Sequence, residues 1–186
     1  MKINEFRFIN NNESFIDKDF VNWSRCYEWG YVLSSLKNVN NNTIHNTCSG
    51  PGEIHKSFHD KLSKTNNKVD NSDIFETNIN KTFDNFYLYN LLDKNNKKYD
   101  FVLCISTLEE LDKNSIKVAF NNLLDQVKDG GRLIITCDYP DVDVGLLEEI
   151  LNTKCGDSST RLNGANSVYK QEQYTRLNVI LIDITK

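Results

Sequence analysis

No run of about eighteen apolar residues occurs in the chain, so no segment is long enough to cross a bilayer as a helix. Positive charge is in short supply. The 22 Lys and Arg are outnumbered by 26 Asp and Glu, and a formal net charge of −4 argues against general affinity for phosphate backbones or anionic lipid. No Pro- or Gly-rich linker divides the 186 residues and no internal repeat shows, so the expectation is a single domain over 1–186. The five cysteines (Cys26, Cys48, Cys104, Cys137, Cys155) are odd in number and scattered. With no CxxC pair and no His/Cys cluster they suggest neither a disulfide framework nor zinc. Cys104 and Cys137 lie in apolar runs, where buried free thiols are expected. The start MKINEFRFINNNESF lacks the basic-then-apolar pattern of a secretory signal, so a reducing, cytoplasmic setting is expected. G-x-S-x-G is missing, which removes the hydrolase nucleophile elbow. HExxH is missing too. His55 and His59 stand four apart on one predicted helix, and without a third ligand nearby they read as a surface pair, with no metal expected.

What is present is a soluble, globular balance of 39% hydrophobic and 26% charged residues. Asparagine is abundant, in runs such as Asn40-Asn41-Asn42, as a drift toward AT-rich codons would produce. The spacing of Phe20, Trp23, Tyr27, Tyr31 and Val32 predicts a helix over 17–37. Residues 1–40 then form an N-terminal aromatic helical cap, and 41–186 an α/β core. In the core, Thr43 to Cys48 is β-prone and stops at Ser49-Gly50-Pro51-Gly52. Glu53 to Ser63 reads as a helix, Lys68 to Asn71 and Phe86 to Tyr89 as weaker strands. Phe101 to Ile105 is an uninterrupted apolar run, stable only with both faces covered, and so a central parallel strand. Ser115 to Lys128 carries Ile116, Ala119, Phe120, Leu123, Leu124 and Val127 on one helical face. Asp129-Gly130-Gly131 reads as its stop. Arg132 to Cys137 is the next central strand, Val144 to Leu151 a helix, and Leu177 to Ile184 a final strand. Alternating helices and strands predict a doubly wound, mostly parallel sheet, with an antiparallel strand near the C-terminus.

In such a sheet ligands sit beyond the carboxyl ends of the strands, where strand order reverses. The first core strand and its loop read Thr43-Ile44-His45-Asn46-Thr47-Cys48-Ser49-Gly50-Pro51-Gly52-Glu53. The two glycines let backbone approach a ligand with no Cβ between, and the following helix offers free N–H groups. Asp73 follows Gly52 by about 20 residues, the spacing at which nucleotide sites of this topology place an acceptor for ribose hydroxyls. A carboxylate suits that task because it can accept from both hydroxyls of a cis-diol.

These pieces lead into Tyr99-Asp100-Phe101-Val102-Leu103-Cys104-Ile105-Ser106-Thr107-Leu108-Glu109-Glu110-Leu111 and then Asp129-Gly130-Gly131-Arg132-Leu133-Ile134-Ile135-Thr136. In that order they resemble the class I S-adenosylmethionine-dependent methyltransferases over most of residues 20 to 186. Trp23-Ser24-Arg25-Cys26-Tyr27-Glu28-Trp29 looks like the aromatic helix that lies over the cofactor in some members. The resemblance implies a Rossmann-like fold with S-adenosylmethionine as cofactor. It places Gly50 and Gly52 at the methionine end, Asp73 on the ribose hydroxyls, Ile74 on the adenine, and Asn90-Leu91 where the family has an Asp-Leu pair at the adenine amine. Ser106 would bring its backbone near the cofactor. Asn46, Cys48 and Ser49 complete the loop. Four positions depart from the pattern. Asn46 stands for an acid, Cys48 for the first loop glycine, Asn90 for Asp, and Glu110 for a His that faces substrate in some members. A Cβ at position 48 matters most if the backbone there needs positive φ.

The activity implied is methyl transfer to a small-molecule or sugar-like acceptor, with Glu109, Glu110 and Tyr31 as candidate bases. Little chain remains beyond the core to bind a protein or nucleic acid. The alternative is a catalytically silent methyltransferase-like domain that binds cofactor or a protein partner without turnover, which the four departures motivate. A nicotinamide-dependent reductase would share the fold, but G-x-G-x-x-G and Tyr-x-x-x-Lys are missing. Trp23, Tyr27, Trp29 and Tyr31 suit either a core or a pocket wall, where aromatic faces would favour a sulfonium. The acceptor and the oligomeric state are not legible.

Overall fold

The apolar run Phe101 to Ile105 needs cover on both faces, and that requirement organises the molecule. The computed structural model describes residues 1–9, 13–15, 17, 24–156 and 178–186. Its strands are β1 (Lys2–Phe8), β2 (Thr43–Thr47), β3 (Lys68–Asp73), β4 (Phe86–Leu88), β5 (Tyr99–Ile105), β6 (Val127–Tyr139) and β7 (Asn178–Thr185). They form one seven-stranded sheet in the order β1-β7-β6-β5-β2-β3-β4. Pairing is parallel from β6 through to β4, while β7 runs antiparallel to both β6 and β1. The expected Rossmann-like architecture, including the reversed strand near the C-terminus, is present. Strand order reverses between β2 and β5, so their carboxyl ends flank the ligand crevice of this topology.

Helices α1 (Arg25–Leu36) and α2 (Glu53–Ser63) cover one face, α3 (Lys113–Gln126) and α4 (Val144–Leu151) the other. Alternate β5 residues feed the two cores. Leu103 and Ile105 pack beneath Trp29, Val32, Phe58 and Leu62, while Val102 and Cys104 pack against Ile116, Phe120 and Leu123. Ile44, Val102, Leu103, Leu133 and Ile135 are fully buried and Ile105 nearly so, as their apolar runs predict. The Asp112 carboxylate accepts from the Asn114 and Ser115 N–H groups and starts α3, a standard side-chain cap.

The structure departs from the sequence reading in four places. Residues 2–8, assigned above to a helical cap, form β1 at the sheet edge, which is why β7 is buried along almost its whole length. Helix α1 begins at Arg25, and Phe20, Trp23 and Leu177 lie outside the described residues. Asp129-Gly130-Gly131 does not stop a helix. Helix α3 ends at Gln126, and the glycines lie inside β6, where Gly130 takes φ +77° and its N–H donates to the Lys186 carbonyl. His55 and His59 are no surface pair. The His59 ring is buried, stacked on Phe83 at 4.5 Å, and the His55 ring meets Trp29 edge-on at 5.8 Å.

Candidate functional site

Beyond the carboxyl ends of β2, β3 and β5 opens a cavity of about 550 Å³. Ten of the residues singled out from sequence line it: Asn46, Cys48, Ser49, Gly50, Asp73, Ile74, Asn90, Leu91, Ser106 and Glu110. They converge because the parallel strands end at one level and each drops its next few residues onto the same rim.

The β2 loop forms the floor. Cys48 adopts φ +51° and Gly50 φ +81°, so the chain makes two left-handed steps within three residues. The Ser49 N–H donates to the Ser72 carbonyl at 2.8 Å, and the Gly50 N–H to Asp73 Oδ2 at 2.9 Å. Asp73 thus braces the loop from the neighbouring strand and is almost buried. No side chain fits at Gly50, since a Cβ there would lie 2.1 Å from the His55 ring. Ser49 Oγ is buried with no hydrogen-bonding partner, an unmet polar group on the cavity wall. The backbone then leaves Ile74 and Phe75 on the rim, 51% and 67% exposed, an apolar lip of a kind that stays uncovered for a ligand. Asn90 closes a local turn, its Oδ1 accepting from the Leu92 N–H at 2.9 Å. The Asn46 side chain donates to Asn71 Oδ1 at 3.0 Å and so ties β2 to β3.

On the other side of the loop, helix α1 brings Arg25 and Trp29 to the wall. Arg25 Nη1 donates to the Glu28 carboxylate and, at 2.5 Å, to Ser106 Oγ. Its guanidinium lies 5.7 Å from the Trp29 ring centre. Ser106, at φ +43°, is the second non-glycine wall residue in the left-handed region. Burial raises the cost of a charged His55 and the nearby Arg25 adds to it, pushing that imidazole down to about 4. At neutral pH the wall therefore sets a neutral imidazole beside the Arg25 guanidinium.

Three sequence candidates stand elsewhere. The Tyr31 hydroxyl donates to Asp183 Oδ2 at 2.6 Å, away from the cavity, and burial together with that carboxylate holds its proton firmly. Glu109 Oε1 accepts from the Asp138 N–H at 2.9 Å, its side chain turned off the wall. Gly52 caps α2 with ordinary extended backbone at φ −111° and does not line the cavity. Of the three candidate bases only Glu110 lines it. Sequence reasoning missed Arg25, His55, Phe75, Thr107 and Leu111. For Arg25 a signal existed, because Arg25 and Glu28 place opposite charges three apart on a helix otherwise read for its aromatics. Among the described residues no group of three or more His, Cys, Asp or Glu is placed to hold a metal.

No protein-family model and no curated protein matches the chain. Solved structures do match in fold. The TehB-like S-adenosylmethionine-dependent methyltransferase from Corynebacterium glutamicum aligns with a TM-score of 0.56 and 16% identity, over 83% of this chain and 85% of its own. The 1,6-didemethyltoxoflavin N1-methyltransferase of Burkholderia thailandensis, solved with 1,6-didemethyltoxoflavin and S-adenosylhomocysteine bound, aligns at 0.59 with 12% identity, over 91% and 80%. The N-methyltransferase NodS of Bradyrhizobium japonicum, solved with S-adenosylhomocysteine, aligns at 0.58 with 11% identity, over 88% of both chains. With five parallel strands from β6 to β4, a reversed β7 and a ligand-sized cavity at the switch point, the chain has the Rossmann-like fold of the class I S-adenosylmethionine-dependent methyltransferases.

Proposed function

We propose that this cavity binds S-adenosylmethionine and that the protein transfers its methyl group to a small-molecule acceptor. The observation that carries the reading is one cavity at the switch point, bounded by a glycine floor, a braced carboxylate and a pocket cation. The residues fit the cofactor. Gly50 leaves room for close approach, Ser49 Oγ lacks a partner, and the apolar lip at Ile74 and Phe75 suits a base. In this reading Asp73 accepts from the ribose hydroxyls, Ile74 and Leu91 hold the adenine, and Asn90 takes the adenine amine. Arg25 takes the carboxylate of the methionine moiety, with Cys48 and Ser106 shaping the wall between.

When bound, the cofactor supplies an activated methyl group, so the protein's work is mainly alignment and exclusion of water. Structural neighbours that act on small molecules support that acceptor class. A formal net charge of −4 disfavours nucleic acid as acceptor. No helix among the described residues is long and apolar enough to cross a membrane.

A second reading, cofactor binding without turnover, draws support from the placement of Tyr31 and Glu109 off the wall, which leaves Glu110 alone of the candidate bases. Calorimetric titration with S-adenosylmethionine, S-adenosylhomocysteine and NADH tests the shared premise. Binding of the first two with one-to-one stoichiometry and none of NADH is expected, and tight NADH binding alone would overturn both readings. Methyl transfer to a panel of amine and hydroxyl acceptors then separates the two.

A further inference from the structure

Glu28 and Asp183 are charged side chains with no exposure at all, and only Glu28 is wired to the cavity. It lies in α1, behind Arg25 and Ser106. One carboxylate oxygen, Oε1, accepts from two hydroxyls, Ser106 Oγ at the end of β5 and Thr136 Oγ1 of β6, the latter at 2.6 Å. The other, Oε2, accepts from Arg25 Nη1. A buried carboxylate without such donors would carry a large desolvation penalty, so the donor set and the charge require each other. Coulombic attraction to Arg25 and the two hydroxyl bonds outweigh burial and hold Glu28 ionised.

The arrangement joins three elements at one atom group: the helix over the cavity, the strand at the switch point and its neighbour. Two consequences follow. Arg25 cannot rotate freely, because Nη1 is shared between Glu28 and Ser106. Ser106 is held in a left-handed conformation that a serine seldom adopts, by its side chain and by its N–H to the Thr136 carbonyl at 2.9 Å.

We infer that Glu28 is a positioning residue for the amino-acid end of the cofactor, fixing Arg25 and Ser106 on the cavity wall without touching the ligand itself. This rests on the cofactor reading above and deepens it. Substituting Gln for Glu28 keeps an acceptor for the two hydroxyls but sets an amide N–H against the guanidinium N–H, so Arg25 loses its anchor. The cost should fall on ligands with an α-amino acid tail and spare those without one.

Methylthioadenosine, which keeps the adenosine and thioether but lacks that tail, provides the control. Kd is measured by calorimetry for S-adenosylmethionine, S-adenosylhomocysteine and methylthioadenosine on wild type, Glu28→Gln, Arg25→Met and Thr136→Val. The near-isosteric Thr136→Val removes one donor to Glu28 from a residue that does not line the cavity, and serves if Glu28→Gln folds poorly. Loss of a charge-assisted contact predicts about tenfold or more weaker binding of both tailed ligands to Glu28→Gln and Arg25→Met, and a smaller loss of the same kind in Thr136→Val. Methylthioadenosine should bind all four proteins within about twofold. Equal weakening of all three ligands by Glu28→Gln and Thr136→Val would reduce Glu28 to a structural role and overturn the inference. So would unchanged affinity for the tailed ligands in both variants, with the cofactor reading left standing. A wild type that binds none of the three would remove the cofactor reading and this inference together.

Discussion

Cys48 carries a Cβ into a left-handed turn on the cavity floor, at φ +51°. A non-glycine residue there is strained by about 1 kcal/mol. Substitution by glycine relieves that strain and also gives the unfolded chain more freedom, a cost of about 0.5–1 kcal/mol. The two nearly cancel, so Cys48→Gly should leave the melting temperature close to wild type. Affinity for S-adenosylmethionine should rise, because the floor loses a side chain. Calorimetry on the variant checks both, and a clearly lower melting point with unchanged Kd would place the thiol in a packing role. Asp73 behaves differently. It is almost buried and receives the Gly50 N–H. Asp73→Ala should therefore cost about 1–3 kcal/mol of stability through the orphaned donor, besides weakening cofactor binding. Asp73→Asn keeps an oxygen for Gly50 and should recover most of the stability but not the affinity. Equal melting points for the Ala variant and wild type would contradict the brace. The place of Cys48 in a glycine loop raises the question of its φ from sequence alone and the structure answers it, whereas the burial of Asp73 depends on where β3 lies and has no local signature.

Strands and helices show the same division. Periodicity made α3 and the β5 and β6 runs legible because each records its own burial: one stripe on α3, an unbroken apolar run where both faces are covered. Strand β3 runs on through Ser72 and Asp73, two residues past the Lys68 to Asn71 read from sequence, because Asp70, Asn71, Ser72 and Asp73 form a polar run with no strand pattern of its own. They are buried because each has a partner from another element. Tyr99 donates to Asp70, Asn46 to Asn71, Ser72 bonds the His45 ring, and Asp73 takes the Gly50 N–H. Strand β1 was missed outright, because the strand it pairs with, β7, lies at the far end of the chain. Phe6 is 7% exposed and packs in the same core as Ile180 and Ile182. Phe6→Ala should destabilise by about 3–5 kcal/mol, the loss seen for a buried aromatic. If residues 1–8 were a dispensable arm, urea denaturation would show a change within about 0.5 kcal/mol.

For the whole molecule, the pH dependence of stability is read from two groups with shifts of opposite sign, His45 and Glu109. His45 is fully buried, and burial pushes its imidazole down to about 4 although Gln126 and Asp70 favour the charged form. Its Nδ1 lies 2.7 Å from Gln126 Oε1 and its Nε2 2.8 Å from Ser72 Oγ, which suits a neutral ring with its proton on Nδ1. A folded value below the ordinary 6.5 means stability fully present above that pH and lost as pH falls toward about 4. Glu109 has the opposite sign. Burial, then the nearby Asp138 and Glu28 charges, raise its carboxyl to about 8 against an ordinary 4.5, despite the Asp138 N–H it accepts. Its stabilising contribution is complete below 4.5 and is lost as pH rises through about 8. Melting temperature should therefore peak in mildly acidic solution. Glu109→Gln should flatten the alkaline limb and move the maximum toward neutral pH, and a variant profile superimposable on wild type above neutrality would show that Glu109 is already ionised in the fold.

The sequence by itself determined the alternation of helices and strands, the parallel central strands, the glycine loop and the acid that closes β3, because each is written within a few consecutive residues. Only the tertiary structure decided which candidates face the cavity. Tyr31 is drawn to Asp183 and Glu109 to the Asp138 backbone, while Arg25 and Glu28 meet Ser106 and Thr136 from strands about eighty and more than one hundred residues away. Local periodicity reports that a side chain is buried. The identity of its partner is set by strand order and crossover connections, which bring distant segments together and leave no mark in the sequence around either one.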